Sequence, residues 1–236
     1  MPRLVRASGG GASLPLPQPP PPALVPGTLD AGFGGPAATT VLTPISGYVV
    51  PDASHKVVVC LSAKRNGTTD FNFVSVTWNG QNLTAVPGTR ASTATSVRNL
   101  IEIWYLDSPT PGTGDVVVST DLEQVQLSAS IHLVSNAGSG AAAGDSNAAS
   151  GVTSLSSSIS VPGENHYVVS AYNSAANVDL DPLGTGADLL FNGTSSPSTL
   201  ALGVADENAN TGALSYGWGT DTTLRLCIAA AAFAPA

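Results

Sequence analysis

Charged residues are scarce in this chain. They make up 10% of the 236 residues, with two lysines and four glutamates, and methionine occurs once. Average soluble proteins have about 25% charged residues, and Lys, Glu and Met are among the stronger helix formers. This scarcity argues against a helical protein. The net charge of −8 also gives no basic footprint, so neither nucleic acid nor a membrane surface is an expected partner.

Long apolar runs are lacking as well. No window approaches the roughly 18 uninterrupted apolar residues of a transmembrane helix. Arg3 and Arg6 are followed by glycine and proline, where a signal peptide needs an apolar segment. We therefore expect a chain made in the cytoplasm and not exported by that route. Cys60 and Cys227 are expected to be buried thiols, although both fall in predicted strands and a disulfide stays an alternative.

The common catalytic motifs are missing too. The chain has no G-x-S-x-G elbow, no Walker phosphate loop, no complete dinucleotide fingerprint and no C-x-x-C or H-E-x-x-H pair. We therefore expect no enzyme, no cofactor and no metal. Three histidines, His55, His132 and His166, could share a role only if folding brought them together, and surface or edge positions are the alternative.

Acidic residues give two weaker candidates for chemistry. Glu102 lies in the apolar run LIEIWYL and Asp107 follows at its end, which would suit a glycosidase only if the two acids faced each other across a groove. Asp179, Asp181 and Asp188 could donate oxygens to calcium, but their spacing does not match an EF-hand. Solvent-facing or turn-capping carboxylates are the alternative for both sets.

What the chain does contain is strand and turn residues, with 25 glycines and 18 prolines. The hairpin VSVTW-NG-QNLTA predicts a type I′ turn at Asn79-Gly80, with Trp78 opposite Gln81, Val76 opposite Leu83 and Val74 opposite Ala85. Runs such as KVVVCLSA and LIEIWYL are typical of central strands. Apolar and polar residues alternate from Val125 to Leu133, and the alternation breaks at Val134. Residues 136–151 are expected to form a long small-residue loop. Eight to eleven strands without helices predict an antiparallel, jelly-roll-like β-sandwich over residues 38–236.

The first 37 residues differ from the rest. Nine of the 18 prolines lie in residues 1–36, including the run Pro19, Pro20, Pro21 and Pro22. This composition cannot form a core and favours an extended chain. The alternatives are a disordered tail and an arm that is ordered only where it lies along another protein, with Arg3, Arg6 and Pro19–Pro22 as the contacting residues.

Two tryptophans are the best candidates for ligand-facing aromatic residues. Trp78 lies beside the hairpin tip, and Trp218 lies in the run Tyr216-Gly-Trp-Gly219. Sandwich domains bind sugars by stacking such rings on them, so exposure of these two side chains would favour a glycan site. Trp104 and Tyr105 fall in a strand that is apolar on both faces and are expected in the core.

A family resemblance enters with the order of these motifs. The series VVVCLSA, VTWNGQNLT, IEIWYLDSPTPGTGDVVVS and SASIHLV, over residues 55 to about 136, resembles a β-sandwich domain that recurs in tailed-phage virion proteins and bacterial surface proteins. The resemblance implies a structural or adhesive module.

These observations lead to one main functional expectation. It is a structural virion protein of a tailed bacteriophage, a capsid decoration (cement) or head-spike component attached to the major capsid protein or other virion proteins through its arm. Such a protein would be a homo-oligomer, for example a trimer. The second expectation is a receptor- or glycan-binding module of a tail tip or fibre, which binds a host surface glycan. An enzyme and a bacterial envelope adhesin rank below these two.

Overall fold

The computed structural model describes residues 23–24, 30–34, 40–123, 126–176, 181–183, 188–194, 201–209 and 211–236. Within these residues the chain forms β-strands and no helix. The described part therefore contains no helix long and apolar enough to span a membrane. In chain order the strands are β1 (Ala23–Leu24), β2 (Asp30–Gly34), β3 (Val41–Val50), β4 (Lys56–Asn66), β5 (Phe73–Trp78), β6 (Gln81–Asn82), β7 (Thr84–Ala85), β8 (Ala91–Ser92), β9 (Val97–Leu106), β10 (Gly112–Thr120), β11 (Gln126–Ser135), β12 (Ala143–Val161), β13 (His166–Ser174), β14 (Asp181–Leu183), β15 (Asp188–Thr194), β16 (Ala201–Ala209) and β17 (Gly212–Phe233).

These strands form three antiparallel sheets. The central sheet has the order β1-β11-β4-β9-β7, with β2 also on β11 and β8 also on β9. The first outer sheet has the order β3-β10-β5-β6, and the second has the order β12-β17-β13-β16-β15, with β14 on β17. The antiparallel β-sandwich predicted from the sequence is confirmed, and the second outer sheet adds a layer beyond the two of a jelly roll.

The central sheet is buried on both faces. Val57 and Val59 of β4 pack in the core shared with the first outer sheet, while Val58 and Cys60 pack in the core shared with the second. Successive strand residues point to opposite faces, so a strand between two cores has mostly apolar side chains on both sides. This arrangement explains the apolar runs of β4 and β9, which Glu102 interrupts in β9.

The predicted hairpin is correct at its tip and wrong at its base. Asn79 (φ 47°) and Gly80 (φ 73°) form the turn, and Trp78 pairs with Gln81. Ala85 was predicted to lie opposite Val74, but it pairs with Trp104 of the central sheet. The reason is that the chain leaves the first outer sheet after Leu83. A register shift in β5 opposite Ser119 and Thr120 turns Val74 outward, where it is 62% exposed.

Residues 143–151, expected to be loop, belong to the long strand β12. They pair with β17 from Ala143 opposite Ala232 onward. Alanine and glycine have weak strand propensity, and here the hydrogen-bond ladder to β17 outweighs it. Register shifts on either side of Val152, next to Gly151 (φ 74°), bend the β12–β17 hairpin. Its far half covers the outer face of the second outer sheet, where a third core forms.

Part of the N-terminal arm lies on the protein's own sandwich. The five residues of β2 pair with β11 from Leu127 to Ile131, and β1 pairs with Val134 and Ser135. The expectation that the arm is ordered only against another protein is therefore wrong for residues 23–24 and 30–34. The reason is that β11 would otherwise be an open edge whose backbone groups need partners. Arg3, Arg6 and Pro19–Pro22 lie outside the described residues.

Candidate functional site

The two tryptophans predicted to face a ligand are both buried. Trp78 is 0% exposed in the core between the central and first outer sheets. Trp218 is 1% exposed and stacks on Tyr172, with ring centroids 5.4 Å apart. Each belongs to a strand whose inward residues fill a core, so the prediction of exposure is wrong. Neither ring has a free face on which a sugar could stack.

The three histidines have separate environments. His55 Nδ1 lies 2.9 Å from Asp52 Oδ1, and His166 Nδ1 lies 3.2 Å from the Glu164 carbonyl oxygen. His132 is fully buried with neither ring nitrogen hydrogen-bonded, and this burial lowers its pKa to about 4. In the described part of the chain, no three His, Cys, Asp or Glu side chains are arranged to hold a metal ion.

Glu102 and Asp107 do not form a catalytic pair. Glu102 is buried beside Leu100 and Trp104, on the face toward the first outer sheet, where its carboxylate accepts a 3.0 Å hydrogen bond from Trp104 Nε1. Burial raises the pKa of Glu102 to about 7. Asp107 instead bonds Lys56, which lies over the Phe233 ring in the core on the opposite face. The central sheet separates the two carboxylates.

The calcium candidates are only partly described. Asp179 lies outside the described residues, and at Asp181 and Asp188 only the backbone is described, paired with Gly219 and Asp206. Their proposed role in a loop site therefore stays a prediction.

Both cysteines are free thiols buried between the central and second outer sheets. Burial raises the pKa of Cys60 to about 12 and also raises that of Cys227. The thiols are thus protonated at neutral pH, and the prediction of buried thiols is confirmed over the disulfide alternative.

Lys56 forms a polar clamp at one end of β4. Its side chain is 2% exposed, donates to Asp107 and to the Gly140 carbonyl oxygen at 2.9 Å, and lies 4.7 Å from the centre of the Tyr105 ring. Burial lowers the Lys56 pKa, while the hydrogen bond to Asp107 opposes that shift. The adjoining cavity of about 90 Å³ is small for a ligand pocket. The clamp ties together the start of β4, the end of β9 and the segment after β11.

A larger cavity of about 380 Å³ lies near the opposite end of β4. Its lining combines three hydroxyl side chains, one guanidinium and several small residues, namely Thr95, Ser150, Gly151, Ala175, Ala176, Thr223, Leu224 and Arg225. Lys64 reaches its wall, where Nζ donates to the Ala175 carbonyl oxygen at 3.1 Å. Among the described residues, this polar, cationic cavity is the best candidate for a functional site.

Sequence reasoning missed this site, although one signal pointed toward it. The chain has two lysines, Lys56 and Lys64, and they flank the same apolar strand. A lysine near each end of a buried strand indicates that the strand reaches the surface at both ends, where polar side chains lie. Nothing in the sequence indicated that Arg225 of the last strand would line this cavity.

Comparison with known proteins shows no family for this chain. The fold is that of an all-β protein with packed antiparallel sheets. No protein-family profile matches the chain, and no curated protein matches it. One similar solved structure is the C-terminal domain of the Streptococcus agalactiae AgI/II polypeptide BspA, a bacterial surface protein. It has 7% identity over 88% of this chain and 91% of that chain, at a TM-score of 0.24. This similarity is too weak to carry an argument.

Proposed function

We propose that the protein is a structural component of a tailed-phage virion, a capsid decoration or head-spike protein that attaches through its N-terminal residues. The proposal depends on residues 1–22, because β1 and β2 of the later arm pair with β11 of the protein's own sandwich. Their proline content and their arginines Arg3 and Arg6 suit an extended segment that lies along a neighbouring protein.

The sandwich would serve as the rigid body that the arm holds in place. Contacts of about 800 Å² per partner, repeated over a lattice, can reinforce a shell although each one is weak. The glycan-binding alternative depended on exposed tryptophans. Because Trp78 and Trp218 are buried, no observation on the described residues now favours that alternative.

The test compares attachment of two chains to particles made without the protein. One is the full chain, and the other lacks residues 1–22 but keeps β1 and β2. We expect the full chain to sediment with the particles and the shortened chain to stay in the supernatant. A third chain, in which residues 1–22 are replaced by a Gly/Ser linker of equal length, shows whether the sequence itself is needed. Attachment of the shortened chain at full occupancy would contradict the proposal.

A further inference from the structure

Three large apolar side chains are exposed among the described residues, and all three belong to the outer face of the first outer sheet. Val41 and Val49 of β3 are 52% and 57% exposed, and Val74 of β5 is 62% exposed. Their neighbours Leu42 and Val50 pack with the core, so the two β3 valines point away from it. Single apolar residues are normal on a surface, but three on one sheet face form a patch.

The strand between β3 and β5 continues the same face. In β10, Val117 lies between two core residues and pairs with Thr77 of β5, while Thr113 pairs with Val49 of β3. Valine and threonine side chains are short and β-branched, which suits the packing of one sheet on another. This outer face, named the valine face below, consists of Val41, Val49, Val74, Thr77, Thr113 and Val117.

The valine face lies on strands that carry almost no charge. Strands β3, β5, β6 and β10 contain one charged residue, Asp115, and its carboxylate accepts a 2.8 Å hydrogen bond from the Gly47 amide. The net charge of −8 makes copies of the chain repel each other over most of their surface. Two copies that meet through the valine face bring no unpartnered charge of these strands into contact. The face therefore fits a second copy better than a charged partner.

The edge of the same sheet is less suited to association than its face. Pro44 lies within β3 and has no backbone N–H to donate to an added strand. Register shifts interrupt the β3–β10 ladder, and Gly47 has a φ of 71°. Proline and bulges are devices that protect an edge strand from pairing with another chain.

The size of the face suits a weak dimer. Strands β3 and β10 have ten and nine residues. Three strands that are each about 30 Å long and about 4.8 Å apart cover roughly 430 Å². Because side chains protrude from this plane, two copies would bury about 1,000 Å² in total, which is near the lower limit for a specific interface. Association should therefore depend on protein concentration.

We propose that the valine face binds the valine face of a second copy of the chain, so that two sheets pack face to face in a two-fold symmetric dimer. The same residues are then buried on both copies, and such a contact closes at two subunits. Removal of the valine side chains from water supplies the free energy of association. This inference does not depend on the attachment function proposed above.

The experiment measures the mass of the full chain by sedimentation from micromolar to millimolar concentration. We expect a monomer–dimer equilibrium. Val49→Lys and Val74→Lys should each weaken the dimer at least about tenfold, because symmetry places two ammonium groups in an apolar interface. Ser160→Lys is the matched control. It makes the same change in net charge at an exposed strand position of the second outer sheet and should keep the dimer.

Four outcomes would overturn the proposal: a monomer at every concentration, a trimer or larger species as the main assembly, a dimer that both valine variants leave intact, or an equal loss in Ser160→Lys. Deleting residues 1–22 should keep the dimer, and its loss would make the N-terminal segment the occupant of the face instead.

Thermal unfolding shows whether each variant is folded. If the lysine variants do not fold, Val49→Thr and Val74→Thr replace them, since threonine keeps the β-branched shape and removes apolar area. They should weaken the dimer severalfold, and unchanged dimerisation in both would equally reject the face.

Discussion

Two buried ionisable residues, Glu102 and His132, lie on opposite faces of the central sheet and respond to pH in opposite directions. Burial raises the pKa of Glu102 to about 7 and lowers that of His132 to about 4. The neutral form is favoured in both cases because a charge in a core loses its hydration. Between pH 4.5 and 6.5, a rise in pH lowers the free energy of unfolding through Glu102 and raises it through His132. The two changes therefore largely cancel in the native protein.

Replacing Glu102 by Gln should stabilise the protein at high pH. Because the pKa of Glu102 is higher in the folded chain than in the unfolded chain, its contribution to the free energy of unfolding is complete below pH 4.5. That contribution, about 3 kcal/mol for a shift of this size, is lost as the pH rises through 7. Glutamine keeps an acceptor for Trp104 Nε1 and does not ionise. Urea unfolding should therefore show the variant more stable than the native chain at pH 8.5 and similar to it at pH 4. A constant difference at both pH values would contradict the assigned pKa.

Replacing His132 by Leu should remove a loss of stability in acid. The contribution of His132 to the free energy of unfolding is complete above pH 6.5. Up to about 3 kcal/mol of it is lost as the pH falls toward 4, because the imidazole of the unfolded chain takes up a proton at a higher pH than that of the folded chain. The variant should lack this loss between pH 6.5 and 4. His55→Leu is the control, because His55, unlike His132, has a polar partner for its ring, Asp52 Oδ1 at 2.9 Å from Nδ1. If both variants give the same acid profile, His132 is not the group responsible.

At the scale of single elements, β12 shows how small residues decide packing. Gly144 of this strand lies against the turn that follows β7. A Cβ atom there would overlap the Pro87 carbonyl oxygen and come within 2.9 Å of side-chain carbons of Val86 and Thr89. Only glycine allows the two backbones to approach this closely. The small-residue stretch that predicts a loop is therefore what lets β12 lie against the turn.

Gly144→Ala should destabilise the protein by roughly 1–3 kcal/mol, the usual cost of overpacking against atoms that cannot move away. Chemical denaturation at pH 7 measures the change. Ser160→Ala, at an exposed position of the same strand, should stay within about 0.5 kcal/mol of the native chain. Equal effects of the two substitutions would show that the close approach at Gly144 is unimportant.

For the whole molecule, the decisive feature is the closed edge of the central sheet. Strand β2 covers β11 over residues 127–131. Without β2, a long and nearly uncharged strand would have an open edge, which is the usual site of strand-to-strand association. The later part of the N-terminal segment thus completes the central sheet.

Deleting residues 1–36 should lower the melting temperature and produce larger species as the protein concentration rises. The physical reason is the loss of the β1 and β2 pairings with β11. Deleting only residues 1–22 leaves these pairings and should change neither property. Scanning calorimetry and light scattering measure the two effects. If both deletions behave alike, β2 does not protect the edge.

Much of the fold was predictable from local signals. The Asn79-Gly80 turn follows from the ease with which these residues adopt positive φ, and the apolar runs of β4 and β9 indicated strands buried on both faces. The pairing partner of Ala85 was not predictable, because nothing local marks where a chain passes from one sheet to another. The exposure of Trp78 and Trp218 was mispredicted for a similar reason: a position near a turn does not show which face has a core.

The candidate site lay beyond sequence reasoning because its parts come from distant elements. Thr95, Ser150, Ala175 and Arg225 meet only through the pairing of β17 with β12 and the packing of the second outer sheet on the central one.

The sequence by itself determined the all-β class, the absence of common catalytic motifs and the hairpin tip. Those features depend on side-chain type and on neighbours within a few residues. The tertiary structure alone decided that a third layer exists, that β2 closes the β11 edge, and that Ala175 and Arg225 line one cavity. Such choices depend on which sheet faces bury each other, and burial is a property of contacts between residues far apart in the chain.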